Sequence, residues 1–570
     1  MRRVTVIRRT GDTEITDCAS PVVARALAAR GCKSPPDYSL KSLLPPTLNG
    51  LATAARILAD CIEQDRRIVV VGDFDADGAT GTALAVRGLK GLGAMDVRWR
   101  MPDRFRHGYG LGMKLAEECL GDRPSVVVTV DHGISSIAGV EFLRANRVDV
   151  VVTDHHLPGP EMPEASAIVN PNCPGDEFPS RNLAGVGVMF YTLIALRSEL
   201  RRRGRPADFR LDGLLDLVAL GSVADLVSLD ENNRRLVYQG LKRIRAQRCA
   251  PGIAALLEVA GRNLAHVTAS DLGFVAGPRL NAAGRLADIS IGIRCLLADD
   301  FGRAMALAEE LDAFNRERQA IQADMVETAE RLATEFVSRL EDMAGGFCLY
   351  DPGWHAGVVG LVASRICEQT RRPVIALAPA GDNGEELKGS CRSPTGIHMR
   401  DLLAEMDAGN PGLIDRFGGH ARAAGLSLPP DRLPAFREAF ESYVENLEFG
   451  SDEVSSDGEL SGSEFSLETA QAILDAGPWG QGWDEPLFDG RFKVLERRIV
   501  GSKHLKMLLE PAGGGPAIDA IAFRAGDLCY RELPDPLHIT YRLELNRWRG
   551  NVNVQLNVQH LVEKIVGQSR

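Results

Sequence analysis

Residues 69–84 of the chain read VVVGDFDADGATGTAL, which sets Asp73, Asp75 and Asp77 at alternate positions directly behind an apolar run. Carboxylates this close repel one another, so each resists ionisation unless a cation lies among them. Two further apolar runs end in the same kind of group. SVVVTV (125–130) is followed by Asp131 and His132, and DVVVT (149–153) by Asp154, His155 and His156. Asp225 interrupts the apolar stretch LLDLVALGSVADLV, where an unpaired acid would be costly to bury. Oxygen and imidazole donors without a thiolate suit Mn2+ or Mg2+. A single aspartate behind a strand is ordinarily a helix cap, and for Asp225 a cap or an ion pair stays open. Three clusters together point to a metal centre. The spacing from Asp73 to Gly78 also imitates an EF-hand calcium loop. That loop needs a bidentate Glu at its twelfth position and a helix in front, and here stand Leu84 and a strand-like run.

The elements that must hold these groups alternate in type. RIVVVG (67–72), VRWRM (97–101), SVVVTV and DVVVT read as buried strands, with helical stretches between them, one from about Thr80 to Gly91. Short Val/Ile runs alternating with helices imply βαβ units and a parallel sheet. In such sheets ligands bind beyond the carboxyl ends of the strands, where the acids and histidines gather. Residues 214–229 and 236–258 look mostly helical, and apolar residues from Leu307 to Leu340 keep helical spacing over 301–345. A second α/β block begins at GGFCLYDPGW (345–354). The polar, acidic stretch GSDEVSSDGELSGSE (450–464) reads as a linker or loop, and beyond it five period-two segments suggest a small β-barrel.

A chain of 570 residues with 45% hydrophobic and 25% charged residues is globular and long enough for two to four domains. No apolar stretch is long enough to span a bilayer, and MRRVTVIRRT lacks the apolar core of a signal peptide. The 11 cysteines stand singly, which suits reduced thiols in a cytoplasm and excludes a zinc ribbon. A net charge of −11 repels a polyanion, so any such ligand needs a local basic track. Residues 98–114 supply one, with Arg98, Arg100, Arg104, Arg106 and Lys114 against Asp103 and with Trp99 and Tyr109 among them. Arg98 and Arg100, alternating on a strand, suit structural roles better, as core packing suits Tyr541 and Trp548 better than base stacking.

GDFDADG, PDRFRHGYGL, VDHGIS, TDHH, GSVADLV and GPRLNAAGRL follow one another in the order found in the DHH phosphoesterase superfamily. Within it the chain resembles the RecJ-type single-strand-specific DNA exonucleases. GWHAGVVGLVASRI, LKGSCRS and FGGHARAAG resemble the DHH-associated domain, and GPWGQGWDEPLF with the terminal β segments resembles the family's OB-fold. The resemblance implies an N-terminal segment (1–45), a parallel-sheet DHH domain (46–300), a long connecting helix (301–345), a smaller α/β DHH-associated domain (346–450) and a linker with an OB-fold barrel (451–570).

It also implies two Mn2+ or Mg2+ ions on Asp75, Asp77, Asp131, His155 and Asp225, with Asp131 as the bridge. Some superfamily members carry a His ligand where this chain has Val71, and Asp73 is expected to supply that ligand instead. Two ions about 3.5–4 Å apart activate water and neutralise charge on a phosphodiester. His156 and Asp154 belong to the catalytic triplet, His156 either meeting the phosphate and its proton or supporting its neighbours. Arg279 is expected to steady the phosphate near the metals. Ser390 and Arg392, with Arg104 across a cleft, are expected to read a terminal phosphate, and Tyr109 and His420 to contact the strand. The function so implied is hydrolysis of single-stranded DNA from the 5′ end to mononucleotides, in repair and recombination, by a cytoplasmic monomer. Single-stranded-DNA-binding protein and a RecQ-type helicase are the implied partners, and no membrane is. A DHH phosphodiesterase for cyclic dinucleotides or short oligonucleotides is one alternative. A non-enzymatic single-strand-binding scaffold is the other.

Overall fold

The computed structural model describes residues 1–569 except 2, 12–14, 19, 103–106, 108–109, 287–288, 338–344, 355–356, 358, 381–384, 395, 446, 448–452, 502 and 549. Side chains are further left undescribed at 285–286, 321–322, 324–326, 328–330, 332–337 and 567–569. Arg104, Arg106 and Tyr109 therefore lie outside the described residues, as does Leu340 at the end of the helical pattern. The chain folds as two compact units. One comprises residues 9–318 and 457–559, the other residues 1–8, 319–456 and 560–569.

The first strand of the chain, β1 (Arg3–Arg9), belongs almost entirely to the second of these units. In the first unit, β2 (Ile68–Gly72), β3 (Val97–Arg100), β4 (Val126–Val130), β5 (Asp149–Thr153) and β6 (Ala167–Val169) form one sheet in the order β3-β2-β4-β5-β6. Every neighbouring pair is parallel. All residues of β2 and β4 are buried, as their unbroken valine runs require in a sheet covered on both faces. The chain leaves β2 toward β3 on one side and returns to β4 on the other. The switch point thus falls between β2 and β4, where Gly72 pairs with Val130 and the next residues are Asp73 and Asp131.

The helix after β2 runs Ala76–Gly91 and starts four residues earlier than its apolar pattern suggests, because Asp75 caps it through the N–H groups of Asp77 and Gly78. The stretch 236–258 is two helices, Glu231–Arg245 and Pro251–Glu258, since Pro251 favours the first turn of a new helix. Arg98 and Arg100 both pair with Asp122, a structural role as expected.

In the second unit, β7 (Phe347–Tyr350), β8 (Val374–Ala380), β9 (Glu386–Arg392), β10 (Arg416–Gly419) and β11 (Ala423–Leu428) lie in the order β10-β11-β9-β8-β7. Only β7 and β8 are parallel. The helices Met399–Gly409 and Leu433–Val444 cover a core that includes Leu403, Met406, Phe436 and Phe440. The expected linker contains a strand, β12 (Glu453–Ser456), which pairs in parallel with β1, Thr5 opposite Glu453. Its partner comes from the far end of the chain, so local polarity misled there.

The barrel belongs to the first unit. It comprises β13 (Phe488–Val500), β14 (His504–Pro511), β15 (Ile518–Ala522), β16 (Leu537–Trp548) and the start of β17 (Asn551–Ser569). Neighbours follow β17-β15-β14-β13-β16, and the further pairing of β17 with β16 closes the ring. Tyr541 is fully buried against Phe465, Phe488 and Phe492, whereas Trp548 is exposed rather than packed in the core. The helix Phe301–Val337 lies within the expected 301–345, and residues 338–344 lie outside the described residues. All 11 cysteines are free, and no helix among the described residues is long and apolar enough to cross a membrane.

Candidate metal centre

The carboxyl ends of β2, β4 and β5 bring their three polar clusters together. Asp131 follows β4 with a positive φ of 68°, a backbone state that costs a non-glycine residue about 1–2 kcal/mol. Its N–H donates to Thr153 O at 3.0 Å, which ties the ends of β4 and β5. His155 Nε2 stands 3.0 Å from Asp131 Oδ1 and 3.5 Å from Asp225 Oδ2. Asp225 caps the C-terminus of the helix Leu215–Ala224, so the apolar stretch around it delivers the carboxylate to this cluster. Three sets of donor atoms each lie within 4.8 Å of one another: Asp73, Asp75 and Asp131; Asp77, His155 and Asp225; Asp131, His155 and His156. Every expected metal ligand is in at least one set.

The chain holds these groups with its own backbone. Asp77 accepts the N–H of Gly185 at 2.6 Å and of Val186 at 3.0 Å, the first residues of the helix Gly185–Arg202. A helix N-terminus stabilises an anion by its dipole and its free N–H groups. Gly185 is needed for this approach, because a Cβ there would lie 2.4 Å from Asp131 Cβ. Asp154 points inward: Oδ1 accepts the N–H groups of His155 and His156 and the Nδ1–H of His156, and Oδ2 accepts Ile134 N–H. Asn172 and Asn170 donate to the carbonyls of His155 and His156 at 2.6 and 2.9 Å. Asn281 accepts Ala76 N–H at 2.8 Å and so anchors the turn that carries Asp75 and Asp77. His132 turns away, its ring buried with Nε2 3.1 Å from Val71 O, and the Val71 side chain lies in the apolar core.

Electrostatics follow from this crowding. Burial first, then the neighbouring Asp75, push Asp73 and Asp77 up to about 7. Burial with Asp77 and Asp75 pushes Asp225 up to about 8, and burial with Asp77 raises Asp131 well above the carboxylate range. Burial holds His155 down at about 4, hence neutral at pH 7. His156 is raised by its hydrogen bond to Asp154. Although burial raises Asp154, the hydrogen bonds from His156 prevail and bring it to about 2. The crowded acids and a neutral imidazole form a donor set that lacks positive charge. Asp131 Oδ1 and His155 Nε2 are both buried without a hydrogen-bond partner. A divalent cation with oxygen and nitrogen preference fits both facts.

Other expected residues fall differently. Arg279 gives Nε and Nη2 to Asp312 and Nη1 to Val275 O, so the fold already engages its guanidinium. Within the second unit, Arg392 donates to Ser364 Oγ at 3.0 Å and Ser390 Oγ at 2.9 Å. A Cβ on Gly360, in the first turn of the helix Val359–Thr370, would lie 3.5 Å from Arg392 Nη2. A helix N-terminus, a guanidinium and hydroxyls are all hydrogen-bond donors of the kind that suit an anion. His420 is exposed in the turn between β10 and β11. Sequence reading missed Gly185, Asn170, Asn172, Asn281 and Ser364. Asn-x-Asn after β6 and Gly-x-Gly at a helix start were the available signals.

Comparison with known proteins agrees in order and extent. Residues 67–222 match the DHH family N-terminal domain, 336–446 the DHHA1 domain and 456–560 the RecJ OB domain. The chain is 48% identical to the single-stranded-DNA-specific exonuclease RecJ of Dickeya dadantii, over 98% of this chain and 100% of that one. Identity to the protein of the same name from Escherichia coli K12 is 47%, over 98% and 100%. The crystal structure of Thermus thermophilus RecJ in complex with Mn2+ superposes with a TM-score of 0.77 at 32% identity, covering 100% of this chain and 81% of that one. The Mg2+ complex from the same organism gives 0.72 at 30%, covering 100% and 80%.

Proposed function

The chain belongs to the RecJ family of single-stranded-DNA-specific exonucleases, and we propose that it removes mononucleotides from the 5′ end of single strands at the cluster around Asp131 and His155. It is a metal-dependent exonuclease of single-stranded DNA, using Mn2+ or Mg2+. We assign two ions to the site, one on Asp73, Asp75 and Asp131 and the other on Asp77, His155 and Asp225, with Asp131 shared. The observation that carries this is the pair of buried, unpartnered atoms Asp131 Oδ1 and His155 Nε2.

Bound there, divalent ions supply Lewis acidity and a lowered water pKa at neutral pH. The chain's own residues do the rest. The helix start at Gly185 and Val186 fixes both oxygens of Asp77, and the Asn172 and Asn170 amides fix the His155 and His156 backbone. His156, half-exposed and braced on Asp154, presents a proton-bearing ring to the phosphate and to the departing 3′ oxygen. Arg279 and Asp312 support the helix Gly277–Leu286, whose Asn281 anchors the acidic turn. Arg392, Ser390 and the helix start at Gly360 receive the terminal 5′-phosphate, and Arg104, Tyr109 and His420 are assigned to the strand. In domain terms we keep the division at residues 45, 300, 345 and 450. We place the enzyme in the cytoplasm, as a monomer in repair and recombination, with single-stranded-DNA-binding protein and a RecQ-type helicase as partners.

The test is a 5′-labelled single strand and a cyclic dinucleotide, each incubated with Mn2+ and with chelator. Mononucleotides released from the strand alone, and only with Mn2+, are expected. Cleavage of the cyclic dinucleotide alone would instead support the small-substrate phosphodiesterase.

A further inference from the structure

Beside the metal ligands the chain exposes large hydrophobic side chains. Six large hydrophobic residues among those described are more than 60% exposed, and three of them adjoin this site: Leu157 at 79%, Phe274 at 75% and Leu226 at 61%. Leu157 directly follows His156, and Leu226 directly follows Asp225. Leu226 holds a positive φ of 60°, a strained state for a branched side chain that the metal-ligand turn maintains. Phe274 sits in a turn of π-helix, Leu272–Ala276, a rare geometry that recurs at functional sites. Leu272, Val275 and Ala276 of that turn are buried, while Phe274 faces solvent.

The π turn lies directly on the end of the helix that delivers Asp225. A Cβ on Gly273 would be 3.1 Å from Val223 Cγ1, and one on Gly277 would be 3.0 Å from Ala224 Cβ. Phe274 thus belongs to the turn packed on the helix end that carries Asp225, Leu226 follows that ligand in the chain, and Leu157 follows the triplet that supplies His155. Exposing flat apolar surface has a cost in water, and a nucleobase offers a flat face of matching chemistry to cover it.

Resting on the proposed hydrolysis of single strands at this site, we infer that Leu157, Leu226 and Phe274 form an apolar rim that stacks the unpaired bases flanking the scissile phosphate. Base faces are free in a single strand and covered in a duplex, so the rim reads strandedness beside the metals. It also holds the phosphate by its neighbours, which a charged pocket alone would do for any phosphodiester.

The test uses the full chain with Mn2+ and two 5′-phosphorylated single strands, one normal and one whose first three nucleotides are abasic. The wild type is expected to cleave the normal strand about fivefold faster or more, the effect of at least one stacked base. Phe274→Ala should lose most of that advantage while its rate on the abasic strand stays at the wild-type value. Phe274→Trp, which keeps a ring, should retain the advantage, and Leu157→Ala and Leu226→Ala should each reduce it. Equal wild-type rates on both strands would overturn the inference, as would a Phe274→Ala loss of the same size on both. A wild type without any Mn2+-dependent hydrolysis would overturn the functional reading as well, which keeps the two failures apart.

Discussion

His155 Nε2 and Asp131 Oδ1 face each other at 3.0 Å in the buried heart of the site, each without a hydrogen-bond partner. A neutral imidazole lone pair beside a carboxylate oxygen is stable only with a positive charge shared between them. Asp131→Ala should therefore abolish hydrolysis while the protein stays folded, because one repelling acid is removed. Rates with Mn2+ and thermal melts with chelator check both halves. A variant keeping a tenth of the wild-type rate would displace Asp131 from the bridge.

The same crowding makes metal-free stability depend on pH. Asp73 and Asp77 titrate at about 7 and Asp225 at about 8 in the folded chain, against about 3.9 for a free aspartate. Between those values the native state binds more protons than the unfolded one, so stability falls as pH rises from about 4 to about 8. Melts in chelator should show that fall. Saturating Mn2+ should flatten or reverse it, since the ion replaces the protons, and a metal-free melting temperature that rises over this range would count against the charge account.

Gly185→Ala should weaken metal binding more than folding. The added methyl would meet Asp131 Cβ at 2.4 Å, pushing back the helix start whose N–H groups hold Asp77. Loss of such a supporting bond lowers metal affinity about 10–100-fold. Calorimetric titration with Mn2+ alongside circular dichroism would show it, and unchanged affinity would mean that the helix start yields without disturbing Asp77.

Arg392→Ala should erase most of the preference for a 5′-phosphate over a 5′-hydroxyl strand while leaving Mn2+ binding unchanged. The guanidinium is already oriented by Ser364 and Ser390, so its loss removes a preformed donor and not a fold contact alone. Rates on the two strands give the ratio. A ratio equal to wild type would move the phosphate site elsewhere.

Trp483→Ala should destabilise the unit that holds the catalytic sheet. The buried Trp483 ring lies 3.9 Å from the Arg234 guanidinium and nearly parallel to Trp479, with ring centroids 6.0 Å apart, so truncation costs about 3–5 kcal/mol. Urea denaturation in the metal-free state measures it. A change below about 1 kcal/mol, the size expected of an isolated exposed cation–π pair, would mean that the site collapses without loss.

Much of this was readable because parallel sheets write themselves in valine. The runs before Asp73, Asp131 and Asp154 fixed three strands, and the switch-point rule then placed their acids in one crevice. What stayed hidden depends on contacts distant in sequence or on backbone state. Gly185 lies 108 residues from Asp77, and no local pattern ties the two. The positive φ of Asp131 leaves no trace in residue type. Arg279 looked free for phosphate until Asp312, on a different helix, was found against it. Glu453–Ser456 looked like linker because its strand partner is β1.

That pairing of β1 with β12 also governs how the polypeptide is born. Thr5 must wait for Glu453, so a ribosome adding 5–20 residues per second leaves β1 without its partner for about 20–90 s. During this interval Val4 and Val6 present a bare strand edge to every other nascent chain nearby, the usual seed of aggregation. The strand is bracketed by Arg3, Arg8 and Arg9, whose charges oppose stacking with identical copies until synthesis catches up.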